Sequence, residues 1–157
     1  MNFKNLMLFI VLGLMTFSSC KKDDTVTGNN LIEENKAKLV GTWNVTESVD
    51  TGCTDSADNE TLTFGCETED GVEVCTMVTL TFAADGTYTY SGSATENGTV
   101  VGTEEGAGTW EIIDATQMTI CLEGDCTNET YTLTDNSFTT TGTDTEFGCM
   151  TTVTATK

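Results

Sequence analysis

The sequence contains no histidine, no arginine and no proline. Histidine is the commonest general base and metal ligand near neutral pH, so Ser-His-Asp and Cys-His catalysis are excluded. There is also no C-x-x-C pair and no G-x-x-x-x-G-K-[ST] loop, which leaves structural zinc, thioredoxin-like redox chemistry and nucleotide hydrolysis without their usual residues. We therefore predict a protein that is not an enzyme, with no cofactor, no catalytic residues and no metal site. A glycosidase-like carboxylate pair stays open only because two acids cannot be chosen from 25 without coordinates.

Positive charge is scarce, and it lies at the two ends of the chain. The formal net charge is −19, and between Leu39 and Thr156 there are 21 acidic residues but no basic one. Nucleic acid and anionic lipid headgroups are bound through Lys and Arg that neutralise phosphates. We therefore predict no nucleic-acid partner and interpret the acidic surface as a solvated one.

The first residues have the layout of a secretory signal. Lys4 precedes an apolar run from Leu6 to Phe17, which is followed by Ser18, Ser19 and Cys20. The run is shorter than the roughly 20 apolar residues that a membrane-spanning helix needs, and a polar segment follows at once. Residues 1–19 are therefore predicted to be a cleaved signal peptide.

The junction from Phe17 to Cys20 resembles the lipobox of bacterial lipoproteins, in which small residues precede an acylated Cys. This resemblance implies that Cys20 carries the lipid and that residues 20–37 are a lipidated N-terminus and polar linker. The next four residues, Lys21 to Asp24, resemble the short tag that directs some lipoproteins to the outer cell surface. The implied localisation is a lipid-anchored protein of the outer membrane, at the cell surface. The alternative is ordinary cleavage that leaves Cys20 as a free thiol.

Beyond the linker the sequence predicts strands. Threonine is the most frequent residue, and Thr interleaved with Val, Ile, Tyr and Trp is typical of half-buried strands. Apolar and polar residues alternate with a period of two, and turn residues such as Asp85-Gly86 and Asp135-Asn136 separate the segments. Eight strands are marked in chain order by Leu39 to Val45, Val78 to Phe82, Tyr88 and Tyr90, Trp110 and Ile112, Met118 to Leu122, Tyr131 and Leu133, Phe138, and Val153.

One short helix is predicted before the first strand, from Leu31 to Lys38. Asn30 would cap it, and Glu33 lies three residues further on, an arrangement close to a capping box.

Three segments resemble the bacterial lipocalin-like domain family: Leu39 to Trp43, Leu80 to Tyr88, and Gly108 to Trp110. The resemblance implies an all-β domain over residues 38–157, an eight-stranded antiparallel up-and-down lipocalin-like barrel. In lipocalins the Trp of the first strand packs at the closed end beside an Arg from a late strand. The corresponding Trp43 has no Arg to meet in this chain.

Six cysteines remain after Cys20, an even number in an exported protein, which favours three disulfides among 15 possible connectivities. In an eight-strand meander all six lie at one end of the barrel. Cys121 and Cys126 bracket a hairpin loop and are paired with each other. The remaining pairs are Cys66 with Cys75, across a long loop, and Cys53 with Cys149, where the barrel closes. A metal-binding cluster is the alternative, but the spacings miss the usual ligand patterns.

Acidic residues collect at the same predicted end. A calcium site is conceivable, but the run from Asp50 to Glu60 fails the EF-hand spacing, so a solvated acidic rim is favoured. The rim comprises Asp50, Asp55, Asp58, Glu60, Glu67, Glu69, Asp70, Glu73, Glu96, Glu104, Glu105, Glu123, Asp125, Asp144 and Glu146.

One row of side chains is predicted to face the barrel interior: Trp43, Val78, Leu80, Phe82, Tyr88, Tyr90, Trp110, Ile112, Ile120, Tyr131 and Phe138. The lipocalin-like resemblance implies that this row lines a cavity for a small hydrophobic ligand. Eight-stranded barrels are also just wide enough to be filled by their own side chains, and we favour a filled core. Two functions stay open: a binding or structural module, and an adhesin-like surface protein that meets an extracellular protein through its acidic, disulfide-stapled loops.

Overall fold

A computed structural model describes residues 26–144 and 148–157 of the chain. In these residues one helix precedes ten strands, and a 3-10 turn, Ser56–Asp58, lies in the first long connection. The elements are α1 Val26–Leu39, β1 Gly41–Thr51, β2 Glu60–Thr63, β3 Gly65–Glu69, β4 Val72–Phe82, β5 Thr87–Glu96, β6 Thr99–Ile112, β7 Gln117–Leu122, β8 Asp125–Leu133, β9 Ser137–Asp144 and β10 Cys149–Thr156.

Eight of the strands close into an antiparallel barrel. The hydrogen-bonded order is β1-β10-β9-β8-β7-β6-β5-β4, and β4 pairs back with β1 from Gly41↔Phe82 to Val45↔Val78. The predicted eight-stranded up-and-down barrel with a short N-terminal helix is confirmed. We call the end where β1 begins the lower end, and the end where β7 turns into β8 the mouth.

The connection between β1 and β4 was predicted as a loop, and this was wrong for two segments of it. Above Val45 the edge of β1 pairs with β2, from Glu47↔Thr63 to Asp50↔Glu60. The upper part of β4 pairs with β3 instead. Strand edges carry unpaired N–H and C=O groups that require partners, and β2 and β3 supply them where β1 and β4 diverge.

The glycine-rich stretch before Trp110 is strand, which extends this strand well before the Trp110 and Ile112 that marked it in the sequence. β6 extends over 14 residues, and Gly106 and Gly108 lie opposite Tyr90 and Tyr88 of β5. A Cβ atom at either glycine would overlap the tyrosine ring across from it. The glycines therefore allow the two rings to lie flat across the inner face of β6.

The lower half of the barrel is filled by aromatic side chains. Phe82 lies at its centre, with ring centroids 5.7 Å from Trp110 and 5.6 Å from Phe138, both edge-on. Trp43 is fully buried and lies 5.8 Å from Phe138. Offset and edge-to-face arrangements are the favourable ones for aromatic rings, so this group anchors the core.

The helix α1 lies against the lower end. It begins at Val26, so Asn30 lies within it and is not the predicted N-cap. Leu39, at its end, is fully buried, and its carbonyl accepts a 2.7 Å hydrogen bond from Trp43 Nε1. Asn35 Nδ2 donates to the hydroxyl of Tyr131 at 2.9 Å. These contacts connect the helix to the barrel through both packing and hydrogen bonds.

Lys157 lies where the lipocalin-like resemblance implied an arginine. Its Nζ is 4.4 Å from the centre of the Trp43 ring and donates hydrogen bonds to the carbonyls of Lys38 at 2.6 Å and Val40 at 3.3 Å. A cation over a Trp face is attracted by the ring quadrupole. The lysine therefore joins the end of β10 to the start of β1.

Three disulfides form in the pairings given above, and all lie toward the mouth: Cys53–Cys149, Cys66–Cys75 and Cys121–Cys126. Two of them join residues directly opposite each other on neighbouring strands, Cys66 on β3 with Cys75 on β4 and Cys121 on β7 with Cys126 on β8. The mouth is thus held by covalent bonds, whereas the lower end is held by packing.

Removing the disulfides one pair at a time, as Cys→Ala double substitutions, should cost unequal amounts of stability. The Cys53–Cys149 bond closes a loop of 96 residues, so its loss should lower the free energy of unfolding by about 4 to 5 kcal/mol. Loss of either other pair, with separations of 9 and 5, should cost about 2 to 3 kcal/mol. Urea unfolding followed by Trp fluorescence measures this order, and equal losses for all three would contradict it.

Candidate functional site

A β-bulge in β1 decides which of its side chains face the interior. Between Val45 and Glu47 the pairing with β10 advances by two residues on β1 but only one on β10. Below the bulge Trp43 and Val45 are buried in the core. One extra residue reverses the alternation, so above the bulge Ser48 and Asp50 face inward.

The upper half of the barrel contains a cavity of about 140 Å³. Its floor is the aromatic group of the lower half, and its upper residues include Asp144, the last residue of β9. The wall includes Leu62 and Phe64 from the β2–β3 segment. The lining residues are Val45, Ser48, Asp50, Leu62, Phe64, Val78, Leu80, Phe82, Tyr88, Tyr90, Ile120, Thr127, Glu129, Phe138, Thr140, Gly142, Thr143, Asp144, Thr151 and Val153.

All eleven predicted inward residues lie in or against the hydrophobic core. Trp43, Trp110, Ile112 and Tyr131 fill the space below the cavity and do not line it. The favoured filled core therefore holds for the lower half only. The upper half stays open because its inward positions carry small residues, such as Thr140 and Gly142, that do not span the barrel. The seven that line the cavity are Val78, Leu80, Phe82, Tyr88, Tyr90, Ile120 and Phe138.

The polar residues of the wall are not among the eleven predicted inward residues. Thr127 and Glu129 lie four and two residues before Tyr131 on β8, and Thr140 lies two residues after Phe138 on β9. A strict period of two therefore places all three on the inner face. Asp50 could not be found in this way, since the bulge changes the phase of β1.

Glu129 is an acidic residue of the cavity wall. Thr127 Oγ1 donates to its Oε1 at 3.2 Å, and the hydroxyl of Thr140 donates a second hydrogen bond. Burial raises the pKa of the Glu129 carboxyl above its ordinary range, and the two hydrogen bonds oppose this shift. Gly142 makes room for it, because a Cβ there would lie 3.1 Å from Glu129 Cγ.

Two tyrosines complete this side of the cavity. Tyr88 is 4% exposed, and within the described ranges its hydroxyl has no hydrogen-bond partner. Burial, with a smaller contribution from the charge of Glu129, raises the pKa of Tyr88 to about 12. The hydroxyl of Tyr90 donates to Glu104 Oε1 at 3.4 Å. A buried hydroxyl without a partner costs free energy, so Tyr88 is the unsatisfied polar group of the site.

The predicted acidic rim is only partly a rim. Glu104 and Glu105 lie within β6, with Glu104 toward Tyr90 and Glu105 exposed, so their placement in a mouth loop was wrong. Asp50 lines the cavity and accepts a 2.5 Å hydrogen bond from Thr151 Oγ1. Glu146 lies outside the described residues. Among residues 26–144 and 148–157, no three acidic or cysteine side chains converge as a metal site requires.

Positive charge in the described part of the chain lies at the lower end, at Lys36, Lys38 and Lys157. Lys36 and Lys38 pair with Glu33 and Glu34 on α1 at 3.3 and 2.7 Å. No lysine or arginine occurs between Leu39 and Thr156, so the cavity wall holds carboxylates without a cation.

The predicted signal peptide and Cys20 lie outside the described residues. Within the described part, no helix has the length and apolar character needed to cross a membrane.

A family model described as a domain of unknown function (DUF5004) matches residues 18–155. The chain belongs to this family. Comparison with curated proteins gives no match. Among solved structures, a redesigned β-barrel is similar at 18% identity over 78% of this chain and 94% of that one, with a TM-score of 0.43. A de novo designed fluorescence-activating β-barrel is similar at 11% identity over 78% of this chain and 95% of that one, with a TM-score of 0.41.

Glu129 should make stability depend on pH. Its pKa in the folded protein is above the ordinary 4.5, so the unfolded chain ionises first as pH rises. Folding stability from this group is therefore complete at low pH and is lost as pH rises through the raised pKa. Glu129→Gln should be more stable than the native chain at neutral pH, by a margin that shrinks toward about pH 4.

The measurement is urea unfolding at several pH values, with Glu105→Gln as the matched control, since it removes one exposed carboxylate from the wall. The control should show no such pH-dependent margin. A Glu129→Gln margin that does not change with pH would contradict the prediction.

Proposed function

We propose that this protein is a lipid-anchored lipoprotein of the outer membrane, at the cell surface, whose lipocalin-like barrel binds a small, largely apolar ligand. The observation that carries the binding proposal is the cavity of about 140 Å³ above the aromatic floor. An apolar cavity of about 150 Å³ is large enough to bind benzene. The size favours a ligand with one ring or a short branched chain.

The ligand would rest on Phe82 and Phe138, with Val78 and Leu80 at its side. Apolar surface removed from water contributes roughly 25 cal/mol per Å² to binding. A preformed site loses little conformational entropy when the ligand binds. The closed wall of the barrel and the disulfides near the mouth supply this preorganisation.

The anchor and the cavity would lie at opposite ends. The predicted lipid attachment at Cys20 precedes α1, and α1 lies against the lower end of the barrel. The mouth would then point away from the membrane. The family match from residue 18 to 155 includes Cys20 together with the barrel, which supports considering them as one unit.

Val153→Phe tests the cavity, because Val153 lines it and the larger ring would occupy it. Toluene should raise the unfolding temperature of the native protein and leave that of Val153→Phe unchanged, since a ligand that binds only the folded state stabilises it. Val101→Phe is the matched control: Val101 is 55% exposed on β6, and this variant should respond to toluene as the native protein does. An unchanged response in Val153→Phe would overturn the proposed binding site.

The anchor is tested by metabolic labelling with palmitate in cells that express the full chain. Label should enter the native protein and be absent from Cys20→Ala, which should also fail to fractionate with the outer membrane. Two or more acyl chains give stable anchoring, since each buried CH₂ contributes about 0.8 kcal/mol. A native protein without label, or a labelled Cys20→Ala protein, would contradict acylation at this sulfur.

A second candidate is an adhesin-like protein that meets an extracellular protein through its mouth. It is favoured by the three disulfides that lie toward that end and by the acidic residues around it. Acidic surfaces act mainly on association rate and salt sensitivity. The two functions are separable, because Val153→Phe changes the interior and leaves the outer surface of the mouth intact.

A further inference from the structure

The cavity wall includes a partly buried carboxylate, Glu129, with no positive partner among the described residues. Glu129 has two hydroxyl donors, Thr127 and Thr140, whereas an ionised carboxylate offers about four acceptor positions. No lysine or arginine lies between residues 39 and 156, and the described lysines are at the opposite end of the barrel. A buried charge is costly unless it is paired, so this site gains most from a ligand that brings a cation.

The second observation is the hydroxyl of Tyr88, which lines the same cavity. It is buried, has no partner among the described residues, and senses the charge of Glu129. A phenolic oxygen accepts a hydrogen bond as well as donating one. A ligand group with several N–H donors would satisfy Tyr88 and Glu129 together.

The remaining lining restricts the rest of the ligand. Phe82, Phe138, Val78 and Leu80 require an apolar body, and aromatic faces also attract an adjacent cation. The net charge of −19 produces a field that attracts cations and repels anions, which disfavours carboxylate ligands such as fatty acids.

We propose that the cavity binds a small apolar amine in its ammonium form, with the nitrogen between Glu129 and the hydroxyl of Tyr88 and a single ring or short branched chain on the aromatic floor. This inference rests on the proposed binding function and specifies its ligand class. The ammonium N–H groups donate to a carboxylate oxygen of Glu129 and to the hydroxyl oxygen of Tyr88. The charge of Glu129 is then neutralised, and the hydroxyl of Tyr88 gains a hydrogen-bond partner.

The test compares three molecules of nearly equal size by calorimetry on the purified protein: benzylamine, benzyl alcohol and benzoate. Benzylamine, which is cationic at neutral pH, should bind about tenfold to a hundredfold more tightly than benzyl alcohol, the range expected for a hydrogen bond to a charged group. Benzoate should not bind. Raising the salt concentration should lower the affinity for benzylamine only modestly, because salt screens buried ion pairs poorly.

Glu129→Gln keeps the shape of the side chain and removes its charge. It should abolish the preference for benzylamine while leaving the affinity for benzyl alcohol within about twofold, since the apolar contacts are retained. Glu105→Gln removes one carboxylate from the outer face of β6 and should keep the full preference. A preference that survives in Glu129→Gln would overturn the inference.

Tyr88→Phe separates a ligand role from a structural one. The substitution should lower the affinity for benzylamine severalfold. It should leave the free protein at least as stable as before, because a buried hydroxyl without a partner is removed. If Tyr88 served only packing, Tyr88→Phe would leave the affinity for benzylamine unchanged.

The outcomes distinguish this inference from the proposed function. If benzyl alcohol binds as tightly as benzylamine to the native protein, the cavity binds ligands and the amine inference is wrong. If none of the three molecules binds and toluene also fails to stabilise the protein, both are wrong.

Discussion

The structure depends on how the edge of β1 is shared. Its lower residues, from Gly41 to Val45, pair with β4 and close the sheet, whereas its upper residues pair with β2. Because closure is confined to the lower half, that half is narrow enough for aromatic side chains to meet across it. Above it β1 and β4 diverge, and the β2–β3 segment completes the wall with Leu62 and Phe64 facing the interior. The filled floor and the open cavity both follow from this one seam.

The two halves differ in what holds them together. The lower half is stabilised by buried aromatic rings and by Lys157, which lies over the ring of Trp43. The ammonium group of Lys157 also donates hydrogen bonds to two main-chain carbonyls. The upper half has smaller inward residues and carries the disulfides. A site formed from small and polar residues contributes less packing energy, and the covalent bonds compensate by restricting the unfolded chain. This division allows a cavity to persist in a barrel that its own side chains could otherwise fill.

Much of this fold could be predicted from the sequence because the residues of barrel strands alternate between inside and outside except at bulges. That rule identified the inward row, and the meander placed all six cysteines at one end, which led to the pairings that the structure contains. What could not be predicted involves departures from local pattern. Gly106 and Gly108 belong to a strand because the tyrosine rings of β5 need the space beside them. The strands β2 and β3 form because β1 and β4 have unpaired edges where they diverge in the closed sheet.

The candidate site was harder to predict than the fold. Seven apolar lining residues followed from alternation. The same alternation puts Glu129 on the inner face of β8, but it does not show which of the 25 acidic residues lacks a cation nearby. Its role depends on Gly142 across the strand pair, on hydroxyls from two strands, and on the absence of any nearby cation. These are relations between strands, and a linear pattern does not contain them.

The bulge between Val45 and Glu47 has a consequence for how such barrels can diverge. If the same residues of β1 ran on without the bulge, regular alternation after Val45 would present Glu47 and Val49 to the interior and turn Ser48 and Asp50 to solvent. The polarity of one wall could then change through the loss or gain of a bulge, without any substitution in the strand. Chains of this architecture could therefore acquire different interiors by shifting strand phase while the aromatic floor and its neighbours stay in place.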